Sequence, residues 1–345
     1  MRSMPTRRRL MVSAAGAGLL AALVPPCDRR AAIAVAAADT KVRMTTGLVA
    51  ATHSIAWIGA VAGIFRKYGL DVTFPSLEVG GPESVAGLAR GDWEFTQTGT
   101  VPVAENVLKG GDAVVLLRNT DKHVGTFVMT RREIKSLRRL DGKKVGVLTD
   151  AYSGQTGVNT RRTVEQAGAK ATYVGLGTFG NVYDALARGE IDAGPLPVHL
   201  RFLGERQHGW HAFPTAALGV PSVFATTRKL VATGRDMVVL AVKGCVETIH
   251  LFKTQPDVVV PILQRFLKLD DVRATEDLRA FYAPLLPEVP RPELAAGMQD
   301  LRDLFAERYP AAANLKETDI ADPSIIDEVE QSGFIRALYA GDAKR

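Results

Sequence analysis

Hydroxyls, an imidazole and glycines collect at five points of this 345-residue chain where an apolar, strand-like run gives way to a helical pattern. The first is Thr52-His53-Ser54, where His53 can hydrogen-bond a small ligand, while Ser54 also reads as an ordinary helix cap. Trp57 lies four residues beyond His53 on the same helical face; it can stack on a ring or pack into a core. The second is Thr98-Gly99-Thr100, whose hydroxyls and backbone suit an oxyanion or a cap ahead of Pro102. The third, Ser153-Gly154-Gln155-Thr156, opens a helix. A helix start leaves N–H groups without intrahelical partners, and the macrodipole makes that end positive. Gly154 lets a ligand approach the backbone, so a small anion would gain charge-assisted hydrogen bonds there. The fourth is Thr178-Phe179-Gly180-Asn181, with Gly180 and Asn181 as ligand contacts unless Asn181 serves as a cap. The fifth is Gly194-Pro195, where backbone can approach a cleft.

Other chemistry finds less support. No histidine pair has His-x-x-x-His spacing, no cysteine cluster exists, and no Ser-His-Asp set can be assigned from spacing, so no metal, cofactor or catalytic residue is expected. Val79-Gly80-Gly81-Pro82 and Lys109-Gly110-Gly111-Asp112 lack phosphate-loop spacing and read as turns. His199 and His208 sit beside arginines and read as solvated, and His123 falls at an expected hinge.

The elements that must carry these junctions alternate between short strands and amphipathic helices, the signature of an α/β fold. Strands are expected at 41–45, 71–74, 93–97, 113–118 and 126–130, with helices at 54–68, 83–89 and 102–109. The pattern then restarts with strands at 144–148, 171–175 and 191–193 and helices at 154–167 and 182–187. One segment occurs twice: Leu88-Ala89-Arg90-Gly91-Asp92-Trp93-Glu94 is echoed 98 residues later by Leu186-Ala187-Arg188-Gly189-Glu190-Ile191-Asp192. The copies occupy matching points of the two series, so the chain reads as two similar lobes. Crossings are expected near Asn119–Gly125 and Pro214–Ser222, which makes 39–122 with 222–345 the first lobe and 123–221 the second. From Gly234 onward the pattern is helical, cut by prolines into pieces of ordinary length.

Charge and composition narrow the partners. The chain is 46% hydrophobic and 23% charged, the mix of a globular protein. Of the formal +6, residues 1–38 carry +5, six arginines against Asp28, which leaves +1 for the rest and removes the case for a nucleic-acid partner. Arg7-Arg8-Arg9 before the 15-residue apolar run Leu10–Val24 reads as a twin-arginine export signal, with cleavage expected after Ala38. Val24-Pro25-Pro26-Cys27 is a poor lipobox, so lipid anchoring at Cys27 is not expected. Cys245 lies in an apolar helical stretch and is expected to be buried, in a monomeric protein of the periplasm.

Four stretches, in this order, resemble the periplasmic solute-binding proteins of the nitrate, aliphatic-sulfonate and thiamine-pyrimidine type that serve ABC importers. They are Ala62–Val72 (AGIFRKYGLDV), Leu88–Thr100, Ile134–Val145 (IKSLRRLDGKKV) and Asp322-Pro323-Ser324 through Ser332-Gly333-Phe334-Ile335. The resemblance, over about residues 40–340, implies a bilobal type II fold with a helical C-terminal region. It also implies a small anion or heterocycle in the interlobe cleft, hinge closure, and a membrane permease as partner. Two departures fall at the expected pocket: Gly194-Pro195-Leu196-Pro197 replaces a Trp-Glu-Pro run, and Ser153-Gly154-Gln155 replaces Gly-Ser-Thr. Relatives that act as enzymes on this scaffold, a thiamine-pyrimidine synthase or a desulfinase, supply the alternative. The lack of a cysteine in the first-lobe loop weighs against them.

Overall fold

The computed structural model describes residues 39–120, 126–215 and 218–340. The expected export signal, Cys27, His123 and the 121–125 part of the first expected crossing lie outside the described residues. Ten strands form: β1 (Thr40–Thr46), β2 (Leu70–Thr73), β3 (Phe95–Gly99), β4 (Ala113–Arg118), β5 (Phe127–Thr130), β6 (Lys144–Val147), β7 (Thr172–Gly175), β8 (Ala193–Leu196), β9 (His211–Pro214) and β10 (Ser222–Thr227). They sort into two sheets of five, in the orders β2-β1-β3-β10-β4 and β7-β6-β8-β5-β9.

Each sheet has the same plan. Three strands run parallel, β2-β1-β3 in one and β7-β6-β8 in the other. The fourth place is taken by an antiparallel strand, β10 between β3 and β4, and β5 between β8 and β9. Parallel neighbours need crossover connections, and helices provide them: α1 (Ile55–Val61), α2 (Ile64–Lys67), α3 (Gly81–Arg90) and α4 (Thr100–Leu108) in the first lobe, α5 (Gln155–Gln166), α6 (Phe179–Arg188) and α7 (Val198–His208) in the second. After β10 come α8 (Arg228–Thr233), α9 (Arg235–Thr254), α10 (Pro256–Leu267), α11 (Val272–Tyr282) and short C-terminal helices. Buried side chains of α9 to α11 share one core cluster with β1, α1 and β4, so this helical region completes the first lobe. Helix α2 packs closely on α9 because Gly244 offers no side chain; a Cβ there would lie 2.5 Å from the Phe65 ring of α2. Cys245 is 1% exposed in this core, and burial pushes its thiol pKa up.

The echoed heptad lands at equivalent corners. Gly91 (φ +77°) ends α3 ahead of β3, and Gly189 (φ +72°) ends α6 ahead of β8. Both corners close with the same bonds, Asp92 N–H to the Gly87 carbonyl and Glu190 N–H to the Ala185 carbonyl, each 2.9 Å. Both carry an arginine–acid pair, Arg90–Asp92 and Arg188–Glu190, each 2.7 Å. The last acid of each copy accepts a bond from the strand next door: Glu94 from Arg43 N–H (2.6 Å) and Asp192 from Lys144 N–H (3.1 Å).

Three expectations need correction. The single helix expected over 54–68 is two, because Gly63 turns left-handed (φ +76°) between α1 and α2. Gly194 and Pro195 are not a loop but the middle of β8, paired with Met129 and Val128. A Cβ at Gly194 would lie 2.5 Å from Val182, so this glycine admits the helix behind the sheet rather than a ligand. The sequence reading also left β9 and α7 out, and so misjudged two histidines. His208 stacks on Trp210 at 4.5 Å, and His199 is partly buried, its pKa lowered to about 4 by that burial.

Candidate functional site

The carboxyl ends of the parallel strands in both sheets meet at one cavity of about 60 Å³. That is room for roughly four to six water-sized groups, at about 10–15 Å³ each. In open α/β sheets this is where ligands bind, since helices begin there with free N–H groups. The first lobe supplies Thr52, His53, Gly80, Gly81, Thr98 and Gly99; the second supplies Thr149, Gly154, Gln155, Thr156, Asn159 and Phe179. Leu48, Ala50, Pro102, Leu148 and Pro197 give the cavity apolar walls, and Tyr282 reaches it from α11.

His53 is held by a buried amide network. Gln97 on β3 accepts from Ala56 N–H at the start of α1 (2.9 Å) and donates to Asn119 (3.3 Å), whose amide donates to the Thr52 carbonyl (2.9 Å). The Thr52 hydroxyl lies 2.9 Å from His53 Nδ1. His53 is 3% exposed, and its Nε2 has no hydrogen-bond partner. Burial lowers the pKa of the ring to about 4; the nearby Thr98 backbone favours the protonated ring without completing a bond to Nε2. Thr98 Oγ1, fully buried, is likewise unpartnered. Two buried polar atoms without partners therefore border the same cavity, and buried polar groups ordinarily find one.

Gln155, the first residue of α5, belongs to the second lobe but bonds to the first and to the return crossing. Its Oε1 accepts from Val101 N–H at the start of α4 (3.3 Å), and its Nε2 donates to the Val220 carbonyl (3.2 Å). Gly99 leaves the space for it, since a Cβ there would lie 2.6 Å from Gln155 Oε1. Asn159, one turn along α5, accepts from Leu218 N–H (3.2 Å). At the other edge Gly80, with φ +85°, approaches Thr149 of the second lobe.

Of the thirteen residues expected at a ligand, six border the cavity: His53, Thr98, Gly99, Gly154, Gln155 and Thr156. Seven do not. Trp57 is fully buried and stacks on Phe266 at 4.4 Å. The Ser54 hydroxyl is turned to the Ala51 carbonyl, and that of Thr100 to the Pro221 carbonyl. Ser153 braces its own loop, giving its N–H to Asp150 (2.7 Å). Asn181 turns its amide back to the Leu176 carbonyl (2.7 Å), and its N–H is capped by Thr178 (3.1 Å). Gly180 follows the same turn, and Gly194 sits in β8. The sequence reading passed over Gly80-Gly81 as a plain turn, although it too joins a strand to a helix. Thr149 and Asn159 were also missed, though the step from strand end to helix, and the i, i+4 spacing from Gln155, pointed to them.

Among solved structures the chain is similar to one from Bordetella bronchiseptica RB50, at 17% identity and TM-score 0.72, covering 85% of this chain and 98% of that one. It is similar to the alkanesulfonate-binding protein SsuA from Xanthomonas axonopodis pv. citri bound to MOPS, at 15% identity and TM-score 0.65, covering 82% and 96%. It is also similar to the periplasmic nitrate-binding protein NrtA from Synechocystis PCC 6803, at 11% identity and TM-score 0.68, covering 85% and 89%. At such identities the likeness is one of fold, and the fold is that of the periplasmic binding proteins. No curated protein matches the chain by sequence. The NMT1/THI5-like family model matches residues 50–257, more than half of the chain, and the chain belongs to that family.

Proposed function

We propose that this protein is the exported solute-binding component of an ABC-type importer, which captures a small anion or heterocycle between its lobes and delivers it to a membrane permease. The observation that carries the reading is the interlobe cavity in which His53 Nε2 and Thr98 Oγ1 stand buried without partners. The family and the fold agree with it, as do neighbours whose names record alkanesulfonate and nitrate binding. Among the described residues no helix is long and apolar enough to cross a membrane. The Arg7-Arg8-Arg9 and apolar Leu10–Val24 pattern supports export to the periplasm, and a cavity lined by one chain needs no second copy.

An enzyme on the same scaffold has less behind it. His53 bonds to Thr52, not to a carboxylate, and among the described residues the cavity lining includes no cysteine, lysine, aspartate or glutamate that would serve as nucleophile or acid. The reading is tested by a thermal-shift screen of small anions and heterocycles, followed by small-angle scattering with the best ligand. A ligand that binds only the folded state raises the midpoint by mass action. The receptor reading expects at least one such ligand and a smaller radius of gyration when it is bound. Turnover of the ligand would favour the enzyme.

A further inference from the structure

We infer that His53 is the charge-balancing group of the cavity, so that an anionic ligand is bound together with one proton taken from water onto the His53 ring. This rests on the receptor reading and specifies the charge state of its ligand.

The lining sets the problem. The starts of α3 and α5 border the cavity at Gly81 and at Gln155-Thr156, and helix starts favour negative charge. Yet among the described residues that line it, none is a lysine or an arginine. A buried ionised group that lacks an opposite charge is strongly disfavoured, and dipoles alone offset only part of that. Among the described residues, His53 is the one lining side chain that becomes a cation near neutral pH.

The ring is placed for the task. Nδ1 lies 2.9 Å from the Thr52 hydroxyl, whose oxygen can accept, and Nε2 is buried at the cavity without a partner. Once protonated, both nitrogens are donors. Nδ1–H then binds Thr52, Nε2–H points to the ligand, and Thr98 Oγ1 adds a second contact. Without a ligand the ring stays neutral, because burial disfavours its charge. The balance is simple: neutral ring, anion and one proton become imidazolium and anion, with no net charge added to the cavity.

Among the described residues no neighbouring charge does this instead. Around His53, Tyr282 comes from α11, whose Arg279 is turned to the Phe252 carbonyl (2.9 Å) while Arg273, Glu276 and Asp277 are exposed. On the side of α5, Arg161 pairs with Glu165 (2.9 Å) and Arg162 with Asp300 (3.0 Å). Asp150 accepts from the N–H groups of Tyr152 (2.6 Å) and Ser153 (2.7 Å). Glu78, near Gly80, has its pKa raised by partial burial, which outweighs the lowering by the Phe179 backbone and Lys268, so its negative charge is disfavoured.

The test is calorimetric titration of the purified chain with nitrate, with methanesulfonate and with the uncharged probe uracil. It is run from pH 6 to 8 in buffers of different ionisation enthalpy. For an anion that binds, we expect uptake of close to one proton and about tenfold weaker binding per pH unit of increase. Uracil, if it binds, should show neither. His53→Gln should remove both the proton uptake and the pH slope for the anion. Anion binding by the parent without proton uptake would overturn the inference whether or not the variant folds. Uracil binding with no anion binding would also overturn it, and would leave the receptor reading standing. If a wider screen of anions and heterocycles found no ligand at all, the receptor reading itself would fail.

Discussion

The two lobes share one topology and one corner motif, yet they bring different chemistry to the space between them. The first contributes an imidazole and a hydroxyl, both buried and unpartnered. The second contributes a helix start and an amide, and the amide of Gln155 is already committed across the cleft to Val101 and Val220. The cavity is thus asymmetric inside a nearly symmetric frame. Duplicated corners hold the sheets, while the residues at the strand ends differ between the lobes.

The first lobe holds a buried histidine and the second a partly buried one, and the largest expected effect compares them. His53 and His199 both fall from 6.5 to about 4 on burial. Above pH 6.5 neither state of the protein is protonated there, so no stability is at stake. As pH drops from 6.5 to about 4, the unfolded chain takes up protons that the native one refuses, and stability falls. For fully buried His53 the loss is about 3 kcal/mol by pH 4, and for the more exposed His199 it is smaller. Denaturant melts from pH 7 to pH 4 should show His53→Gln flattening this acid limb more than His199→Gln does.

Next comes the residue pair that differs between the corners. Gly87 and Trp93 in the first correspond to Ala185 and Ile191 in the second. A Cβ on Gly87 would lie 2.1 Å from the Trp93 ring, whose Nε1 is bonded to the Ser84 carbonyl (2.7 Å). Gly87→Ala should cost about 1–3 kcal/mol by overpacking. Adding Trp93→Ile, which copies the second corner, should recover part of that loss, visible as a non-additive double-mutant cycle. Additive losses would mean that the two corners pack independently of this pair.

A smaller effect probes the helix start. Thr156→Ala should weaken binding of a screened anion by about 1–2 kcal/mol, the scale of one hydrogen bond to a charged group, without changing the melting midpoint. Smallest is the shared left-handed glycine. Gly91→Ala and Gly189→Ala should each cost about 1 kcal/mol for the positive φ, with Gly189 the costlier because Arg131 Nη1 would lie 3.2 Å from the new Cβ.

What the sequence shows of this molecule is what local rules dictate. The Gly-acid corners were legible because a C′ glycine and a following acid pair are local features, and their recurrence exposed the duplication. The cavity was legible at junctions where glycine and hydroxyls meet a helix start, as at Gly99 and at Gly154-Gln155-Thr156. It was not legible where distant packing decides. Trp57 shares a helical face with His53, but the stack on Phe266, more than two hundred residues away, takes it into the core. Gly194 looked like a loop residue and is a strand residue beneath Val182. The role of Gln155 as a bridge between lobes depends on where Val101 and Val220 come to lie, which no spacing reveals.

The account stands most directly on where a ligand sits. A crystal structure of the chain with a ligand from the thermal-shift screen would settle it. The account expects density between the lobes, within hydrogen-bond reach of His53 Nε2 and Thr98 Oγ1 and facing the start of α5. A ligand seated elsewhere, for instance on the second-lobe surface beside Arg132 and Trp210, with His53 Nε2 and Thr98 Oγ1 still unpartnered, would contradict it.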